Sequence, residues 1–230
     1  DARLGNSGND IVFNGSGALS ITGATQTLGT GRDIQVNNTA IGTLNTTNAS
    51  VTTIQGVISG SGGITATPVA GGSLTLSGLN TYTGPTNANT GTLRAGSSSA
   101  FGNSSAVTLA NTAGVFLDTT GFANTLGSLS GGGAAGGTII LGSATLTLGG
   151  NNENTTYSGT LINVNAAAGG AGVVNKEGSG IFTLASTRNA TTTATSTAST
   201  TLTAPTAGLG AGMAVAGVGI PDGTVIVSIT

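Results

Sequence analysis

Asp118 and Glu153 are the mid-chain residues with the most chemistry open to them, because two carboxyl groups can cleave a glycosidic bond, one as acid and one as nucleophile or base. A polysaccharide-degrading β-helix enzyme is therefore the enzymatic alternative. Against it, both acids lie in turn-rich sequence with no Arg, Lys or Trp close by to hold a sugar acid. Other routes to catalysis lack their residues. A Ser nucleophile needs a base, usually His, and a thiolate needs Cys; the chain has neither, and zinc loses its ligands on the same ground. The many Gly pairs lack the strand, helix and Lys context of a phosphate-cradling loop. Gly5, Gly8, Asp10 and Val12 fit one calcium-binding nonapeptide. Asn6 replaces a Gly there and no second copy follows to share the ion, so a plain Gly-Asn turn is the simpler reading and a calcium-dependent repeat module the alternative. No cofactor is expected.

The elements that would position such residues are strands and turns. Of 230 residues, 42 are Gly and only 5% are charged, and Thr, Ser, Asn and Ala supply most of the rest. Gly, Thr, Ser and Asn are poor helix formers, and no long window places apolar residues three and four apart. Whole-chain disorder conflicts with a net charge of only -2 and a mean hydropathy of +0.28. No basic stripe exists among the five basic residues, which excludes nucleic acid as a partner. No apolar run reaches the length of a membrane helix, so no membrane insertion is expected, and Asp1-Ala2-Arg3-Leu4 is not followed by a signal-peptide core. Residue 1 reads as a mature start or an internal cut.

Alternation is cleanest between Gly60 and Gly96. Leu74 and Leu76 face one way and Ser73, Thr75 and Ser77 the other, which is the period of a strand with one buried face. Turn residues from Asn80 to Asn89 follow before Leu93 re-enters the core. A unit of about twenty residues cannot bury its own apolar face and must stack on others like it. At about 4.8 Å per rung, some eleven rungs would make a rod of about 50 Å. Leu-Thr-Leu followed by an Asn-rich turn and Tyr recurs at Leu146 to Gly159, which places Tyr82 and Tyr157 in equivalent positions, each ring over the end of the core with its hydroxyl in water. Asn37, Asn38, Asn45 and Asn48 are expected at corners, where Asn tolerates left-handed backbone and can ladder between rungs.

The segment LTLSGLNTYTGPTNANTGTLRAG resembles the passenger-associated repeat of bacterial autotransporters. So do Phe101-Gly102 with Ala106 to Leu109, and Gly121 to Gly131; Gly56 to Ile64 and Asn175 to Leu184 are similar to the family's linking segments. The resemblance covers about Gly56 to Ala185. It implies a secreted, mostly β-helical and often adhesive protein.

The fold expected is all-β: a right-handed β-solenoid-like stack of short strands over 1–184, a Thr-rich linker or edge strand over 185–201, and a small C-terminal β module over 202–230. A β-sandwich is the alternative, since alternation and turn spacing suit both. The function expected is a non-enzymatic extracellular structural protein, a segment or subunit of a bacterial surface fibre or adhesin stalk. Its partners would be a second copy or a continuation of the same chain, and a surface glycan or a host or cell-surface ligand. Unguarded strand edges invite pairing, so the assembly interface is assigned to Val225, Ile226, Val227 and Ile229 at one end and to Ile11, Val12 and Phe13 at the other.

Overall fold

The computed structural model describes residues 5–6, 8–163 and 172–185. Twenty-one short strands follow one another and, among the described residues, no helix interrupts them. The first rung holds β1 (Ile11–Phe13), β2 (Gly17–Ile21) and β3 (Gln26–Leu28), and the second β4 (Ile34–Val36), β5 (Ile41–Thr46) and β6 (Val51–Ile54). β7 (Ile58–Ser59), β8 (Gly63–Pro68) and β9 (Ser73–Leu76) complete a third. Two rungs of two strands each come next: β10 (Thr86–Ala88) with β11 (Thr92–Ala95), then β12 (Ala106–Leu109) with β13 (Phe116–Asp118). The rest are β14 (Asn124–Leu126), β15 (Ser128–Gly131), β16 (Thr138–Ile140), β17 (Thr145–Leu148), β18 (Thr155–Tyr157), β19 (Thr160–Ile162), β20 (Val173–Lys176) and β21 (Phe182–Leu184).

Every pairing is parallel and joins a strand to one in the next rung. That rules out the sandwich, whose strands would be antiparallel. One face is an eight-stranded sheet running from β2 to β21, one strand per rung, so the described chain makes seven full turns. A second face has seven strands, from β3 to β19. The third is broken into two three-stranded sheets, β1-β4-β7 and β14-β17-β20. Partners lie from 19 residues apart (Ser73 with Thr92) to 28 (Thr145 with Val173), so the rungs are longer and less even than a twenty-residue repeat.

Period-two alternation holds the stack together. On the inner side of the seven-stranded sheet, Leu74, Leu93, Leu117 and Ile139 lie in register and are fully buried. Each such side chain contributes about 1.5–3 kcal/mol by leaving water. The corners need residues without a Cβ. At Gly56 a Cβ would strike the carbonyl of Arg32 one rung away, and at Gly78 it would strike the carbonyl of Gly56, so this column must be glycine for the rungs to close.

One corner expectation is corrected. Asn37 and Asn38 do turn the chain, with Asn38 at φ 54°, and Asn48 lies at a bend, but Asn45 sits inside β5. Its side chain bonds along the sheet to Ser20 at 3.4 Å, because a rung longer than twenty residues moves that position off the corner.

Candidate functional site

Asp118 and Glu153 are not brought together. Asp118 lies in β13 on the seven-stranded sheet, where Arg94 is its in-register neighbour. Arg94 Nε donates to Asp118 Oδ2 at 2.9 Å, and Asp118 Oδ1 accepts the Thr120 N–H at 3.0 Å. Sequence proximity missed this arginine because it lies one rung away, 24 residues back. Glu153 precedes β18 on the eight-stranded sheet, where its Oε2 accepts the Ser128 hydroxyl at 3.0 Å. Each carboxylate ties one rung to the next.

The nonapeptide-like turn uses its carbonyls on an internal cation. Arg32, only 1% exposed, donates to the carbonyl of Asn9 and, at 3.1 Å, to that of Asn6. Asp10 Oδ1 accepts the Asp33 N–H at 3.1 Å. Three oxygens that this turn could offer calcium thus have protein partners, and among the described residues no group of three or more acidic, His or Cys side chains gathers for a metal.

Both tyrosines are interior, contrary to the expectation of hydroxyls in water. Tyr82 Oη contacts Thr86 Oγ1 at 2.6 Å, Thr86 contacts Ser105 Oγ at 2.9 Å, and Ser105 donates to the Gly84 carbonyl at 2.7 Å. One proton per hydroxyl fixes the order: Ser105 gives its proton to Gly84, so Thr86 donates to Ser105 and Tyr82 to Thr86. Tyr157 donates its one proton to the carbonyl of Gly137 at 2.5 Å, with that of Thr160 at 3.2 Å beside it. Burial pushes both phenols well above the ordinary range. Nor are the two equivalent. Tyr82 precedes β10, whereas Tyr157 ends β18 and reaches the register of Ala88 through Gly131 and Leu109.

Side-chain amides and carboxylates bridge the corners. Asp10, Asp33, Asn111, Asn152 and Asn154 each accept, through a side-chain oxygen, an N–H about one rung further on. Asn80 and Asn124 do more, since they replace strand pairing where the third face is broken. Asn80 Oδ1 accepts the Ile58 N–H at 2.8 Å and its Nδ2 donates to the Ala100 carbonyl at 2.7 Å. Asn124 Oδ1 accepts the Ala100 N–H at 3.1 Å, and its Nδ2 donates to the Ser97 and Phe122 carbonyls, both at 3.1 Å. At this break lies an open cleft of about 440 Å³ whose lining includes Thr81, Ser98, Ser99, Asn103, Ser104 and Thr125. The sequence marked much of it only as turn and polar-edge residues; the run Ser97-Ser98-Ser99 was its one local signal.

Of the residues assigned to assembly, Val225, Ile226, Val227 and Ile229 lie outside the described residues. Ile11, Val12 and Phe13 form β1, which among the described residues pairs only with β4. The Phe13 ring is buried over Gly42, and Val12 is 48% exposed, so β1 offers a backbone edge and one apolar side chain.

A parallel ladder wound through seven turns, with small residues at its corners and aliphatic columns inside, defines a β-solenoid. Over 161 residues, 69% of this chain, the sequence is 42% identical to the Adhesin BmaC autotransporter of Brucella suis biovar 1 (strain 1330). The chain spans 4% of the length of that protein. No family model and no solved structure matches. The fold and this similarity together bear out the resemblance to an autotransporter passenger and the extracellular or cell-surface location that goes with it. Among the described residues no helix is long and apolar enough to cross a membrane.

Proposed function

We propose that this chain is a non-enzymatic, adhesin-like segment of a bacterial surface passenger: a stalk that spans distance, presents binding surface, and joins other solenoid by strand pairing. The observation that carries this reading is the 42% identity over 161 residues to an autotransporter adhesin, in a chain whose described residues stack as a parallel ladder. The ladder satisfies backbone groups without a thick core, which suits a rod made of small residues. Asp118 and Glu153, the residues an enzyme would use, serve as rung-to-rung ties.

Beads coated with the full chain test the adhesive part. They are expected to bind cultured animal cells several-fold better than beads coated with an inert protein. Equal binding, or release of sugars from a polysaccharide that is lost on replacing Asp118 or Glu153, would overturn the reading.

A fibre subunit is the second reading, supported by the single pairing of β1 among the described residues and the exposure of Val12. Open strand edges recruit partners unless a charge blocks them. Sedimentation should then show association that grows with concentration and falls in Val12→Lys; a monodisperse monomer at high concentration would reject it.

A further inference from the structure

We propose that the cleft at the broken face is a binding subsite for an uncharged saccharide. The inference rests on the adhesive reading above and gives it a place and a ligand class. The cleft gathers its hydroxyls and amides around one concavity of about 440 Å³. On the eight-stranded sheet several outward hydroxyls and amides are used within the protein: Thr108 with Ser130 at 2.9 Å, Asn87 with Thr65 at 3.4 Å, and Asn45 with Ser20 at 3.4 Å. In the cleft, the side chains of Thr81, Ser98, Ser99, Asn103, Ser104 and Thr125 make no hydrogen bond within the described protein. Six neutral groups that can all both donate and accept therefore face one concavity, which is the complement of a ring carrying several hydroxyls.

The support beneath them is rigid. Asn80 and Asn124, both buried, pin the rungs on either side of Ala100, and Gly102 lies where a Cβ would meet the Tyr82 ring and carbonyl. Ser104 adopts φ 56°, a left-handed conformation uncommon for a residue with a side chain, and such outliers concentrate where a chain is shaped to hold something. No charged residue lines the cleft, so a neutral saccharide is favoured over a sialylated or sulfated one.

The test is an array of neutral and acidic oligosaccharides probed with the full chain, followed by titration of the best neutral binder and by the bead assay. The triple variant Thr81→Ala, Asn103→Ala, Thr125→Ala removes exposed groups only. Thr108→Ala, on the eight-stranded sheet, is the control. The proposal expects neutral oligosaccharides among the binders, affinity weakened at least about tenfold in the triple variant and unchanged in the control, since the triple variant removes three neutral hydrogen-bonding groups at once. Absence of neutral binders, or equal affinity in the triple variant, overturns it. Beads that adhere as well with the triple variant as with the parent chain overturn this subsite while leaving the adhesive function standing; beads that never adhere overturn both.

Discussion

Asn80 holds Ile58 on one rung and Ala100 on another through the two ends of a single side-chain amide, at 2.8 and 2.7 Å, where no strand pairs on that face. A buried side chain thus does the work of a ladder. Asn80→Ala leaves the Ile58 N–H and the Ala100 carbonyl without these partners, and orphaned buried groups cost about 1–3 kcal/mol each. Thermal or urea unfolding should show a loss of about 2–4 kcal/mol, against a change within about 0.5 kcal/mol for the exposed Asn103→Ala.

Arg94 and Asp118 form a pair with one partner half exposed and the other buried. Arg94→Ala should cost about 1 kcal/mol, and the difference from the parent chain should narrow in high salt as the pair is screened. Urea unfolding at low and high ionic strength checks both. A variant as stable as the parent at low salt would show that the pair contributes nothing.

The chain has two tyrosines and both are buried as hydrogen-bond donors. Burial raises their folded pKa above the unfolded value of about 10, so their contribution is fully present below about pH 10 and is lost as pH rises toward the folded pKa. Phenolate absorbance is expected to appear only together with the loss of strand circular dichroism. A phenolate signal near pH 10 with the fold intact would contradict the interior placement.

Thr46 is buried in β5 with a hydroxyl that has no partner among the described residues. Thr46→Val keeps the shape and removes an unsatisfied polar atom, so it should stabilise the fold by about 1 kcal/mol. A drop in the unfolding midpoint would mean that the hydroxyl is solvated after all.

The strands were legible because alternation at Leu74 and Leu76 reports a buried face directly, and the solenoid followed because units so small must stack. The rung-to-rung partners were not. Arg94 meets Asp118 only once the rung length is known, and rung lengths vary between 19 and 28 residues. Tyr82 and Tyr157 share a local motif yet occupy different corners, because strand boundaries answer to the register of the neighbouring rung rather than to the motif. The cleft was hidden for another reason: Ser, Thr and Asn are everywhere in this sequence, and only the fold shows which of them gather around one concavity.

The stack itself is tested most directly by distances along one column of the eight-stranded sheet, where Ala18, Thr43, Thr65, Asn87, Thr108 and Ser130 lie in register. The chain has no Cys, so paired substitutions carry spin labels at known places only. Double electron–electron resonance on Ala18→Cys with Ser130→Cys should give a backbone separation of about 24 Å, and Thr43→Cys with Ser130→Cys about 19 Å, one rung less. A difference between the two pairs unrelated to about 4.8 Å, or broad distributions in both, would contradict a β-solenoid and with it the account of how this chain presents its surface.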